Sequence, residues 1–276
     1  LDNFDLTHYV GPVINNAVRA GVKYVETNNI KSFVLGVSGG VDSAVVAAIA
    51  RMVCDKTNIK LFGEFLIMDG NTPNEALRAK AVCKEYCHEY DSVGLGNSFY
   101  NTMKDIDYDL YETYMSGKAT HEEKVRAGNI KARLRMIYLY DVANKNNGLV
   151  LSTDNLSEYF LGFWTLHGDV GDLGLVQNLW KSEIYMIGAS IGGACTLCVD
   201  AMPTDGLGIT NSDFDQLLPK WTPEMGDHIE AYRFIDDTLI RMFKGQSMGG
   251  DVVTRYKETM FKRMNPANIN RSELLG

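Results

Sequence analysis

No run of apolar residues in this 276-residue chain approaches the ~20 that a membrane-spanning helix needs; residues 44–50 are among the longest. An apolar signal-peptide core is missing as well, because residues 1–5 are polar and nothing apolar follows them. A soluble, cytoplasmic protein is the simplest expectation. Excess positive charge is also absent: 27 Lys and Arg against 35 Asp and Glu give a net charge of −8. The broad basic field that gathers nucleic acid is therefore lacking, which weighs against a polynucleotide partner. Internal repeats and low-complexity tracts are absent, and a composition 45% hydrophobic and 22% charged excludes a disordered chain.

Cysteine is sparse and odd in number, with residues 54, 83, 87, 195 and 198. That suits reduced thiols in a cytosolic compartment. The Cys83-x3-Cys87 and Cys195-x2-Cys198 spacings admit a metal or redox site, but no further ligand pair with finger-like spacing supports one. Two cysteines one turn apart on a helix, and two more in an apolar Gly-rich stretch, read more simply as core.

What is present is an alternation of strands and helices. The apolar positions of the first ~28 residues follow a helical period. Residues 32–37 read as a buried strand, 44–53 as a small-residue helix, and 60–68 as a second strand. A helix is expected over 71–89, opening at Thr72-Pro73, where proline suits a first turn. A weaker strand follows at 90–95, then a helical stretch from 99 to 147 broken near Ser116-Gly117. Asn147-Gly148 turns the chain into a strand at 149–151, followed by helices from about Leu156 and over 181–191. Residues 201–223 are loop-rich, and two helices close the chain near 228–243 and 251–264. This pattern predicts an α/β fold: a parallel sheet with helices on both faces, Rossmann-like, with a helical C-terminal part, all one domain over residues 1–276. In such a sheet the ligand crevice lies at the carboxyl ends of the strands.

The segment at that edge with the most chemistry is Gly36-Val37-Ser38-Gly39-Gly40-Val41-Asp42-Ser43. Adjacent glycines between a strand and a helix leave backbone N–H groups uncovered at a helix N-terminus, which is a natural anion site. There is no Gly-Lys-Ser/Thr ending, so this is not a Walker loop. A carboxylate at Asp42 beside a polyphosphate implies an intervening divalent cation, Mg²⁺. A second segment, residues 128–136, sets Lys131, Arg133 and Arg135 among apolar neighbours, either as a solvated basic face or as guanidinium offered to an anion. A third, residues 149–158, ends in Asn155-Leu156-Ser157-Glu158, which fits a helix capping box, while Glu158 is also placed to share a metal with Asp42.

Ser38-Gly39-Gly40-Val41-Asp42-Ser43 resembles the signature loop of the PP-loop ATP pyrophosphatases. Within that class the chain resembles the ammonia-dependent NAD synthetases. Their pattern runs Gly-Asn-x-x-Ala-Arg-x-Arg-Met, Gly-Thr-Asp-x-x-Glu and Gly-Phe-x-Thr-Lys-x-Gly-Asp. Here the matching segments begin at Gly128, Ser152 and Gly162, in that order. The resemblance implies ATP-dependent amidation of deamido-NAD through an adenylate, with ammonia as nitrogen donor. It implies AMP and pyrophosphate as products and a homodimer as the assembly. In 276 residues no amidotransferase domain is expected beside the α/β unit.

Carried over by motif, Asp42 and Glu158 would hold Mg²⁺. Gly36, Val37, Ser38, Gly39, Gly40, Val41, Asp42, Ser43, Met68, Thr153, Lys181 and Thr204 would contact ATP, with Asp42, Lys181 and Thr204 closest to the chemistry. Arg133, Leu166, Asp172, Phe261 and Lys262 would fall at the deamido-NAD site. Departures from the family pattern concentrate there. Leu166 stands where lysine is expected, Phe261 where histidine is expected, and the stretch from Gly168 to Asp172 is one residue short, leaving Asp169 as an alternative to Asp172. A tRNA-thiolating enzyme, resting on Cys195-x2-Cys198, and a non-catalytic nucleotide-binding module are the competing readings. Residues 205–221 are the segment expected to close over bound ligands.

Overall fold

The computed structural model describes residues 9–264 and 266–275. The polar opening segment, residues 1–5, lies outside them. The chain runs α1 (Val10–Asn28), β1 (Ser32–Gly36), α2 (Val41–Thr57), β2 (Lys60–Ile67), α3 (Pro73–Tyr86) and β3 (Glu89–Gly94). It continues through α4 (Gly96–Ile106), α5 (Tyr108–Met115), α6 (His121–Lys145), β4 (Leu149–Ser152), α7 (Leu156–Leu161) and β5 (Leu173–Gly174). The remainder is helical: α8 (Lys181–Ile191), α9 (Ala194–Val199), α10 (Phe214–Leu217), α11 (His228–Phe243), α12 (Asp251–Glu258), α13 (Met260–Arg263) and α14 (Arg271–Leu275).

The five strands form one sheet in the order β3-β2-β1-β4-β5, and every pairing is parallel. β1 is central and wholly apolar in its middle, so helices must cover both its faces. On one face lies the main core, where the Ala- and Val-rich α2 is buried along almost its whole length against α1, α8 and α9. On the other face α6 packs Leu139 and Ala143 onto Val34, Leu66 and Val150. A smaller cluster of Phe99, Met103, Leu110, Ala127 and Met68 ties α4 and α5 to α6. None of the described helices is long and apolar enough to cross a membrane.

Local chemistry fixes the ends. Thr72, Thr120 and Asn155 each close a capping box with the Glu three residues on, and Pro73 opens α3. Asp107, whose side chain accepts from the Leu110 N–H at 3.1 Å, starts α5 and so breaks the long helical stretch earlier than the Ser116-Gly117 signal. The two-residue β5 and the single-turn α10 are too short to leave a period in the sequence. The chain crosses from β1 to β2 on one side and to β4 on the other. That reversal opens a crevice beyond the carboxyl ends of β1 and β4.

Candidate active site

A cavity of about 490 Å³ occupies that crevice. Its floor is the turn between β1 and α2. The Gly40 N–H donates to Ser38 Oγ at 3.2 Å, and Ser38 and Ser43 hydroxyls meet at 3.1 Å. Gly39 takes φ +82°, and a Cβ there would stand 2.5 Å from the Glu75 carbonyl oxygen. Glycine is therefore required for conformation and for space.

Lys181, the first residue of α8, is 3% exposed although it is a lysine. Its ammonium donates to Asp42 Oδ2 and, at 3.1 Å, to Glu158 Oε1, and lies 5.2 Å from the centre of the Tyr232 ring. Asn155 holds Asp42 from the other side, donating to Oδ1 at 2.9 Å. Burial opposes the charge on Lys181, but Asp42 and Glu158 together push its pKa well above the usual lysine value. Burial raises Glu158 in turn, and the Lys181 ammonium counters it.

The wall beyond is acidic, with Asp154 and Asp213 buried and Asp169 half-buried. Burial, aided by Asp169, lifts the Asp154 carboxyl to about 7, against the hydrogen bond from Ser152 at 2.7 Å. Burial lifts Asp169 to about 6 while the Thr165 N–H and the Lys262 charge pull it down. Asp213 also rises to about 6 by burial. Its Oδ2 accepts from Tyr232 at 2.7 Å, and its Oδ1 is buried without a partner among the described residues.

Most of the residues singled out from sequence gather here. Gly36, Val37, Ser38, Gly40, Val41, Asp42, Ser43, Thr153, Glu158, Lys181, Thr204 and Lys262 all line the cavity. Gly39 lies under the loop, its carbonyl accepting from Arg78. Five residues fall elsewhere. Met68 packs its side chain into the cluster around Phe99 and Met103. Arg133 is not on the cavity wall and donates to the Leu166 carbonyl at 2.9 Å. Leu166 itself is not on the cavity wall, and Phe261 is 63% exposed outside it. The Asp172 carboxylate is taken up by the Tyr140 hydroxyl at 2.8 Å and the Val150 N–H at 3.0 Å, so it braces β4. Asp169, the alternative, lines the cavity.

The cavity also holds Arg135 and Asp154, which stand inside the 128–136 and 149–158 segments but were given no place in the site, and Glu75, Arg78, Asp213 and Arg255, which no motif had picked out. For Arg135 a signal was available. On a helix at 100° per residue, Lys131 and Arg135 share a face that Arg133 does not. Glu75 and Arg78 share α3, Asp213 precedes α10 and Arg255 lies on α12, and none of these four carried a local signal.

Comparison with known proteins agrees with this architecture. Residues 13–266 match the family model described as NAD synthase. The chain is 33% identical over 217 residues to an NH(3)-dependent NAD(+) synthetase of Thermococcus sibiricus, covering 75% of this chain and 79% of that one. It is 30% identical over 257 residues to that of Helicobacter hepaticus, covering 92% and 85%. Among solved structures, the NMN synthetase from Francisella tularensis superposes with a TM-score of 0.67 at 24% identity, over 97% of this chain and 100% of that one. The NH3-dependent NAD synthetase from Campylobacter jejuni gives 0.64 at 22%, over 95% and 98%. The two structural likenesses carry the fold, and the family model with the two sequence relatives carries the membership: this chain belongs to the NAD synthase family.

Proposed function

We propose that this chain catalyses ATP-dependent amidation of deamido-NAD to NAD with ammonia, releasing AMP and pyrophosphate. The observation that carries the reading is the cluster at the β1 edge: a glycine- and serine-rich turn at the N-terminus of α2 beside Asp42, Glu158 and Lys181. A carboxylate is a poor electrophile. The nicotinate carboxylate of deamido-NAD first attacks the α-phosphorus of ATP, and pyrophosphate leaves toward the turn, whose N–H and hydroxyl groups receive its charge. Ammonia then attacks the acyl carbon, AMP departs, and the nitrogen sheds a proton. Asp154 and Asp169, lifted to about 7 and 6, have the range to accept it. No enzyme nucleophile is needed.

The carboxylates of Asp42 and Glu158 converge on one ammonium, so they also suit a hard divalent cation. Among the described residues no three His, Cys, Asp or Glu side chains converge, so the remaining ligands would be phosphate oxygens and water. Mg²⁺ held by Asp42 and Glu158 would neutralise charge on the leaving pyrophosphate. With Arg133, Leu166, Asp172 and Phe261 off the cavity wall, Arg135 and Asp169 are the better positioned groups for the acceptor, beside Lys262.

We read the whole described chain as one catalytic unit in the cytoplasm, a setting that five unpaired, buried cysteines suit. The exposed Ile137 and Tyr140 on α6 support a homodimer.

The decisive experiment supplies ATP, Mg²⁺ and deamido-NAD, with and without ammonium, and follows NAD, AMP and pyrophosphate. Equal amounts of all three, dependent on ammonium, are expected, along with their loss in Asp42→Ala and Glu158→Ala. Light scattering on the same preparation is expected to give twice the chain mass. ATP binding without turnover of deamido-NAD would sink the reading.

A further inference from the structure

The phosphate turn carries hydroxyls and N–H groups but no cation, and its one ionisable side chain, Asp42, is negative. A nucleoside triphosphate brings roughly four negative charges to this place, and the pyrophosphate that leaves brings a similar load. Positive charge must come from another element. Among the described residues, the Lys and Arg side chains lining the cavity are Arg78, Arg135, Lys181, Arg255 and Lys262.

Four of these are engaged elsewhere. Lys181 is held by Asp42 and Glu158. Lys262 donates to the Gly162 and Trp164 carbonyls. Arg255 donates to the Leu161 carbonyl at 3.0 Å, its guanidinium 5.3 Å from the centre of the Phe163 ring. Arg135 donates to the Gly206 carbonyl at 2.7 Å on the opposite wall.

Arg78 differs in what it holds. Projecting from α3, it donates Nε–H to the Gly39 carbonyl at 2.8 Å, so it is bonded to the phosphate turn itself. The turn is seated directly on α3: a Cβ at Gly39 would come within 2.5 Å of the Glu75 carbonyl oxygen and 3.0 Å of the Ala79 nitrogen. That contact leaves no slack between loop and helix, so the guanidinium keeps its place relative to the loop N–H groups. The two Nη groups carry four N–H donors with no hydrogen bond to a described residue, and arginine's planar fork matches phosphate oxygens two at a time.

We propose that Arg78 is a phosphate-binding residue of this site: Nε anchors it to the Gly39 carbonyl, and the Nη donors bind the β- and γ-phosphates of ATP and the departing pyrophosphate. This rests on the ATP-pyrophosphatase reading above and adds a ligand to it from α3, outside the loop motif.

The test measures binding of inorganic pyrophosphate, ATP and AMP, each with Mg²⁺, to the wild-type chain, Arg78→Gln and Arg78→Lys by calorimetry. Gln is too short to reach and lacks the charge. It is expected to weaken pyrophosphate and ATP at least tenfold while AMP changes less than twofold. Lys keeps charge but loses the fork, and is expected to recover part of the loss. Steady-state kinetics should show KM for ATP rising with KM for deamido-NAD unchanged. If Arg78 only braced the turn, amide exchange over residues 38–43 would quicken in Arg78→Gln along with the loss of pyrophosphate, and that result overturns the proposal. So does unchanged pyrophosphate affinity in Arg78→Gln. Failure of the wild-type chain to form NAD, with this binding pattern intact, would strike the reaction and leave Arg78 in place.

Discussion

Lys181 depends on a second layer of polar residues behind it. Its backbone N–H donates to Ser157 Oγ at 2.8 Å, Ser157 donates to Asp236 Oδ1, and the Ser182 N–H donates to Asp236 Oδ2 at 3.0 Å. Asp236 thus sits on α11 at the N-terminus of α8, where a carboxylate meets unpaired N–H groups. Its burial nevertheless dominates and lifts the carboxyl to about 7, against the pull of Ser157 and Ser182. Between about 4 and 7 the folded chain therefore holds a proton that the unfolded chain has lost, and stability falls as pH rises through that window. Asp236→Asn stays neutral throughout. Its melting temperature should fall less steeply from pH 4 to 7 than that of the wild-type chain, the remaining slope coming from Asp154, Asp169 and Asp213. Superimposable slopes would mean that Asp236 is ionised across the range. Residues of this kind were invisible in the sequence. Asp42 and Glu158 stand inside local motifs, whereas Asp213 and Asp236 look like ordinary surface acids until α11 and the 202–213 segment fold over them.

At the level of elements, α6 shows how a basic run reads two ways. Lys131 is completely buried and donates at 2.9 Å to the Asp69 carbonyl, the Leu207 carbonyl and the Tyr114 hydroxyl. Burial lowers its pKa, with Asp69 opposing. One turn either side, Gly128 leaves room for Ile209 and Leu207, which a Cβ would meet at 3.1 and 3.2 Å, and Arg135 holds Gly206. Positions 128, 131 and 135 form one stripe, and it fastens the 205–209 part of the segment expected to act as a lid. Arg133, off the stripe, is exposed. The motif marked the helix as important, but helical phase decided which cation meets the cavity wall. Replacing Lys131 with Met leaves two carbonyls and a hydroxyl without their donor. A loss of about 1–3 kcal/mol for each acceptor left buried sets the scale. Amide exchange over 205–209 should quicken in Lys131→Met while β1 and β2 keep their protection. Unchanged exchange there would show that Gly128 packing and Arg135 suffice. The helices at 181–191 and 228–243 were legible to the residue, because each carries a full apolar stripe. β5, α9 and α10 were not, being too short to show a period.

For the whole molecule, the cavity draws on nearly every part of the chain. It takes the turn after β1, α3, the ends of β4 and α7, the start of α8, the 202–209 segment and Lys262 of α13. The late helices are fastened to it. Lys262 holds the Gly162 and Trp164 carbonyls, Arg255 holds Leu161, and Tyr232 lies under Lys181 while bonding Asp213. α11 and α12 also share the core that contains α2 and α8. A ligand in this cavity therefore has no separate half to stabilise. ATP with Mg²⁺ at a hundred times its Kd contributes about 2.7 kcal/mol to the folded state, which for a chain of this size raises Tm by about 5–10 °C. Calorimetry should show one transition that moves upward intact, and Asp42→Ala should not follow it. Two transitions, of which ligand moves only one, would mean that the helices from His228 onward fold apart from the sheet, and the one-domain reading would give way.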